Sequence, residues 1–247
     1  MSAPPAVSGP AVGPDPLTTF PARAAAVGMA GLLAGAALGI GLGLLLVRVL
    51  DAPRLLALLV SQGSLWGAMV GACVVVSRRY GNGSIRDDFG FRIRRVDIGW
   101  GLLLALAGRL AAGVVAACLA AVSARLVGSN LTGIKELRHD VPALVTYCVF
   151  AVVGAPLIEE LFFRGLLLRS FASRMPLALA VVVQGLLFCL AHLTPTLGLA
   201  NVSVLAGTAV FGIMAGATAV WLRRLGANVV AHALFNHDAV VGLLVLS

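Results

Sequence analysis

The chain has 247 residues, 60% of them hydrophobic and only 11% charged, with a net charge of +8 and a mean hydropathy of +1.02. A soluble domain carries roughly 45–50% apolar and about 25% charged residues, so these values exclude an ordinary water-soluble fold and indicate a polytopic membrane protein. The positive charge falls in short clusters between apolar runs, which argues against a nucleic-acid-binding protein.

Residues 1–22 carry Pro4, Pro5, Pro10, Pro14, Pro16 and Pro21 among Ala, Gly and Ser, a composition that buries no core, and they are expected to form a disordered tail. Apolar runs near the ~20 residues needed to span a bilayer follow at 24–47, 55–76, 98–122, from 141 onward, and at 177–192, 202–222 and 227–246. The prediction is an all-α transmembrane bundle of about seven spans, with six to eight as the range. The first run has only Arg23 ahead of it and no short apolar core followed by a small-residue cleavage site, so it reads as a retained helix.

Arg78, Arg79, Arg86, Arg92, Arg94 and Arg95 fall between the second and third runs. Arg164, Arg169 and Arg174 surround a later turn, and Arg223 and Arg224 mark a third. With alternating helices the three turns share one face. The positive-inside rule then predicts a multi-pass plasma (inner) membrane protein with that face, and the N-terminus, in the cytoplasm. These clusters read as topology determinants. Seventeen Arg against one Lys, with abundant Ala and Gly, fits a bacterial origin. Cys73, Cys118, Cys148 and Cys189 are dispersed, without disulfide or zinc-knuckle spacing. Arg109, midway along the third run, has no assigned role; snorkelling or pairing with a carboxylate would account for it.

The fourth run contains two adjacent acids, Glu159 and Glu160. A carboxylate in hydrocarbon costs several kcal/mol unless it is paired or faces a wet cavity, so an intramembrane acid marks a functional site by default. Adjacent helical residues point about 100° apart, so the two glutamates need different partners. Glu160 and Arg164 are four apart, the spacing of an ion pair, which leaves Glu159 to face a cavity. Between residues 143 and 173 only Pro156 interrupts the helical pattern. Glu159 precedes Arg174 by 15 residues and His192 follows it by 18, so at about 1.5 Å per residue the two legs of this hairpin bring Glu159 and His192 to one depth. His232 and Asn236 are four apart on one face of the last run, a turn or two inside Arg223 and Arg224.

Glu159-Glu-Leu-Phe-Phe-Arg-Gly165, Phe188-Cys-Leu-Ala-His192 and His232-Ala-Leu-Phe-Asn236 resemble, in order and spacing, the three motifs of the CPBP family, the CAAX-protease and bacteriocin-processing intramembrane endopeptidases. These are also called type II CAAX prenyl proteases or the Abi family. Phe211-Gly212, Gly216 and the segment Asp87-Asp-Phe-Gly-Phe-Arg92 add weaker likeness. The resemblance covers about residues 140–247 and implies three parts: a tail at 1–22, framing helices at 23–139 and a catalytic core at 140–247.

It further implies a peptidase in which Glu159, with His192, activates a water, and His232 and Asn236 stabilise the oxyanion. Glu160, Arg164 and Phe188 act in support. The residues suit that chemistry, because desolvation strengthens a carboxylate as a base and an amide or imidazole N–H lowers an oxyanion's energy by several kcal/mol. No cofactor is favoured. Zinc held by Glu159, His192 and His232 is the alternative, disfavoured because no His-Glu-x-x-His pair is present. Cys189 points in a different helical direction from His192, against a thiol mechanism. The expected partners are the bilayer and a peptide or membrane-protein substrate, with no nucleic acid. The competing class is a non-enzymatic scaffold or transporter, but the polar motifs occupy only the C-terminal half and form no repeat.

Overall fold

The computed structural model describes residues 20–129, 137 and 139–245, so the tail expected at 1–22 lies almost entirely outside the described residues. Eight helices are labelled here: α1 (Ala22–Arg48), α2 (Arg54–Tyr80), the short α3 (Ile85–Asp88), α4 (Val96–Val122), α5 (Val141–Ala172), α6 (Leu177–Leu190), α7 (Asn201–Leu222) and α8 (Gly226–Val245). No strand occurs among the described residues. Five stretches are long and apolar enough to cross a membrane: α1, α2, α4, α5 and the Pro195–Leu222 stretch that contains α7. Of the two remaining runs, α6 has 14 residues, and α8 carries Asn228, His232, Asn236, His237 and Asp238 among its apolar residues.

Helix α1 lies directly on α2 because small residues repeat every four positions along it. A Cβ on Gly35 would stand 2.7 Å from the Ala68 side chain, and one on Gly39 would stand 2.5 Å from the Ser61 carbonyl oxygen. Without a hydrophobic driving force inside a bilayer, close backbone approach of this kind is what joins helices. Behind the pair, Phe162, Phe163, Phe188 and Phe211 form an aromatic core with Met69 and Leu166, each 2% exposed or less.

One end of the bundle is tied by buried acids. Asp88 accepts hydrogen bonds from Ser77 Oγ at 2.5 Å and from the backbone N–H groups of Asn82 and Ser84. Its own carbonyl accepts from Arg169 Nη1 at 3.1 Å. Asp97 accepts from Arg224 Nε and from the Arg94 backbone N–H, both at 2.8 Å. The loop between α3 and α4 therefore holds α5 and the α7–α8 turn in place. The N–H of Leu225 donating to Gly90 O adds to that hold.

Two of the arginines grouped around the turn at Arg174, Arg164 and Arg169, are 1% and 2% accessible and bond to acceptors inside the bundle, with Arg164 Nε left without a partner. Their spacing from Arg174 made them look like one cluster, whereas the continuous helix carries Arg164 nearly three turns deeper than Arg174. At the same end, Asp87 is exposed, and the Arg92 guanidinium beside it holds its carboxyl below the usual range. Trp100 and Trp221 meet edge to face there, ring centroids 4.8 Å apart, as aromatic side chains do at a membrane interface.

Candidate active site

The site begins with a backbone irregularity. In α5 the segments Phe150–Gly154 and Glu160–Leu167 have widened turns, flanking the stretch Ala155–Glu159. The N–H of Ala155 bonds to Phe150 O, and Pro156 has no N–H to offer, so the carbonyl of Ala151 loses its helical partner. Asn236 of α8 supplies the missing donor, with Nδ2 2.8 Å from Ala151 O. Gly154 leaves room for the Trp66 ring, whose Cη2 stands 2.5 Å from where a Cβ would be. Widened turns of this kind gather at functional sites because they re-aim the side chains that follow.

Glu160 follows directly and is fully buried. Its Oε1 accepts from Arg164 Nη1 and from His232 Nδ1, both at 2.9 Å, while Oε2 accepts from Asn228 Nδ2 at 3.3 Å. Arg164 also reaches Gly212 O at 3.3 Å and lies over the Phe188 ring, 4.3 Å from its centroid. The same carbonyl accepts from Gln184 at 2.8 Å. Charge, hydrogen bonds and the aromatic face together offset the cost of burying the ion pair, although Arg164 Nε has no partner.

Two of these partners, Asn228 and Gln184, were not singled out from sequence. Asn228 stands one turn before His232, so the spacing 228, 232, 236 along one face of α8 was the available signal. Gln184, a lone polar residue in an apolar run, carried no such pattern.

Glu159 faces the other way, into a cavity of about 320 Å³ whose wall includes Trp66, Tyr147, Phe188, His192, His232 and Asn236. Its Oε2 lies 3.9 Å from His192 Nε2 and 3.9 Å from His232 Nε2. It has no hydrogen-bond partner among the described residues. These separations are too long for direct bonds and suit a bridging water.

Each imidazole is oriented from behind. His192 Nδ1 is 2.8 Å from Phe188 O, and His232 Nδ1 is 2.9 Å from the Glu160 carboxylate. A carbonyl and a carboxylate only accept, so both Nδ1 atoms carry hydrogen and both Nε2 atoms face Glu159. The Phe188 ring packs beneath both, 4.6 Å from the His192 ring and 5.7 Å from that of His232. Cys189 is buried and does not line the cavity.

Ligands at about 2.1 Å from one tetrahedral zinc stand about 3.4 Å apart, closer than the 3.9 Å seen here. Among the described residues no group of three His, Cys, Asp or Glu side chains gathers at metal-holding distance.

Residues 141–237 match the family described as Rce1-like, Type II CAAX prenyl endopeptidase Rce1-like. The matched segment begins at the start of α5 and includes Glu159, Glu160, Arg164, His192, His232 and Asn236. No curated protein and no solved structure matches the chain.

Proposed function

From the premise that this membrane protein carries a type II CAAX prenyl endopeptidase domain of the Rce1-like family at residues 141–237, and is a protease, we propose that it cleaves peptide bonds by a glutamate-activated water. The observation that carries the reading is the Glu159 carboxylate, unpartnered and facing two imidazoles at 3.9 Å in a cavity about 320 Å³ in volume. A water held between Glu159 Oε2 and His192 Nε2 gives its proton to Glu159 as its oxygen attacks the scissile carbonyl. The tetrahedral oxyanion takes hydrogen bonds from His232 Nε2–H and the Asn236 amide.

Because His232 Nδ1–H is committed to Glu160, its Nε2 donates only from the doubly protonated ring, and Glu160 supplies the counter-charge. Asn236 gives one amide hydrogen to Ala151 O and has its second for the substrate. As the C–N bond breaks, the proton on Glu159 passes to the leaving amine. A donor aimed at the oxyanion contributes about 3–4 kcal/mol and a positioned base about 10²–10⁴-fold.

The apolar walls favour a hydrophobic peptide or a segment of a membrane protein entering from the bilayer. In this reading α6 and α8 complete about seven spans, residues 23–139 frame a catalytic core at 140–247, and the arginine-rich end with the N-terminus faces the cytoplasm at the plasma membrane.

The test is cleavage of a fluorogenic hydrophobic-peptide panel by the detergent-purified protein, wild type against Glu159→Ala, with and without a zinc chelator. Activity lost in the variant and kept in chelator is expected. Loss in chelator restored by zinc would refute the metal-free mechanism, and retained cleavage in Glu159→Gln would remove Glu159 as the base.

A further inference from the structure

At one corner of the arginine-rich end, the loop before α4 and the turn between α7 and α8 are pinned to each other. Asp97 takes Arg224 Nε on one carboxylate oxygen and the Arg94 backbone N–H on the other, both at 2.8 Å. A Cβ on Gly226 would stand 2.7 Å from Arg92 O, and one on Gly90 3.1 Å from Arg223 O, so the two backbones touch. Trp100 is three residues beyond Asp97 and Trp221 three before Arg224, and their rings meet with centroids 4.8 Å apart. Val96 opens α4 and Leu222 closes α7, and each ends a stretch long and apolar enough to cross the membrane. The corner therefore lies at the depth where hydrocarbon gives way to headgroups.

Two kinds of side chain are exposed there. Arg94, Arg95 and Arg223 are exposed, and among the described residues none of them pairs with an acid, whereas Arg92 has Asp87 and Arg224 has Asp97. Interleaved with them along the chain, Trp221, Ile93, Val96 and Trp100 are 63%, 57%, 55% and 37% exposed. Arginines that only fix topology need neither a rigid scaffold nor apolar neighbours. Arg223 also caps α7 at φ 53°, a conformation that suits glycine, so the turn itself gives no reason for an arginine. Guanidinium groups with unused donors select phosphate. A free phosphate gains nothing from exposed Trp and Ile, but a phospholipid does: its acyl chains cover them while its headgroup meets the cations.

We propose that Arg94, Arg95 and Arg223, with Trp100 and Trp221, form a site for the headgroup of an anionic phospholipid at the junction of α4 and α7. The test uses the full chain in vesicles of phosphatidylcholine with about one phosphatidylglycerol in ten lipids. Bromine high on the acyl chains, carried by the phosphatidylglycerol or by an equal number of the phosphatidylcholines, quenches the fluorescence of any tryptophan it touches. The variant Trp100→Phe with Trp221→Phe gives the background from Trp66, the third tryptophan. Phosphatidylglycerol should be enriched at the Trp100–Trp221 pair about fivefold over phosphatidylcholine, the effect of one cation held at a headgroup.

The enrichment should vanish when Arg94→Gln, Arg95→Gln and Arg223→Gly are combined. It should persist with lysine at the same three positions, which guards against a folding defect in the first variant. Equal quenching by the two lipids would overturn the proposal, as would an enrichment that survives the Gln and Gly substitutions. An equal loss on replacing Arg78, Arg86 and Arg174, exposed arginines elsewhere at this end, would reveal a diffuse field in place of a site and likewise overturn it. Displacement of the lipid by inorganic phosphate at constant ionic strength would assign the arginines to a soluble anion, with the same consequence.

Discussion

Replacing Glu160 with alanine removes the acceptor shared by Arg164, His232 and Asn228. The fully buried guanidinium would keep the Gly212 carbonyl at 3.3 Å and the Phe188 ring as direct contacts, with Glu159 as a more distant counter-charge. Breaking a buried pair by removing one partner costs about 3–5 kcal/mol, most of it from the stranded charge. For a chain of this size about 1 kcal/mol moves the thermal midpoint roughly 2–4 °C, so Glu160→Ala should lower it by about 6–20 °C. The assay is thermal unfolding in one detergent, followed by loss of helical circular dichroism. The paired change Glu160→Leu with Arg164→Met removes both charges at similar volume and should recover most of the loss. A drop below about 3 °C for the single variant, or a double variant worse than the single, would refute the reasoning that this pair is held as a charged unit.

Other substitutions test separate links. Asn236→Ala leaves the Ala151 carbonyl without a donor and should destabilise by about 1–3 kcal/mol; in a Pro156→Ala background, where a backbone N–H is restored, the same change should cost measurably less by the same melt. Asp88→Ala orphans Ser77 Oγ and two backbone N–H groups, and should raise protease sensitivity in the loop between α3 and α4 while costing about 2–4 kcal/mol. Gly35→Leu drives a side chain into Ala68 and should loosen α1 from α2, seen as slower cross-linking of cysteine pairs placed across that seam.

The membrane class was legible in composition, because hydrocarbon demands a density of apolar residues that no soluble domain tolerates. The paired glutamates were legible for the same reason, as acids that have no business in an apolar run unless partners await them. Helical spacing then predicted Glu160 with Arg164, which the structure places 2.9 Å apart. Spacing also grouped Arg164 and Arg169 with Arg174 around one turn, and the structure buries both. A one-dimensional pattern registers that a charge lies near a boundary but not whether an acceptor from another helix surrounds it.

What the sequence by itself determined is local: which segments are helical and apolar, which faces carry the polar groups, and that Pro156 must leave one carbonyl unpaired. What only the tertiary structure decided is who answers those demands. Asn236 meets the Ala151 carbonyl from 85 residues away, and Asn228 meets Glu160 from 68. Arg109 rests on Phe235 across 126. Periodicity fixes a direction about one helix axis, whereas a hydrogen bond needs two axes at a given distance, rotation and register. Those are set by packing, here by glycines that let α1 approach α2 and by the widened turn of α5 that frees the Ala151 carbonyl for Asn236.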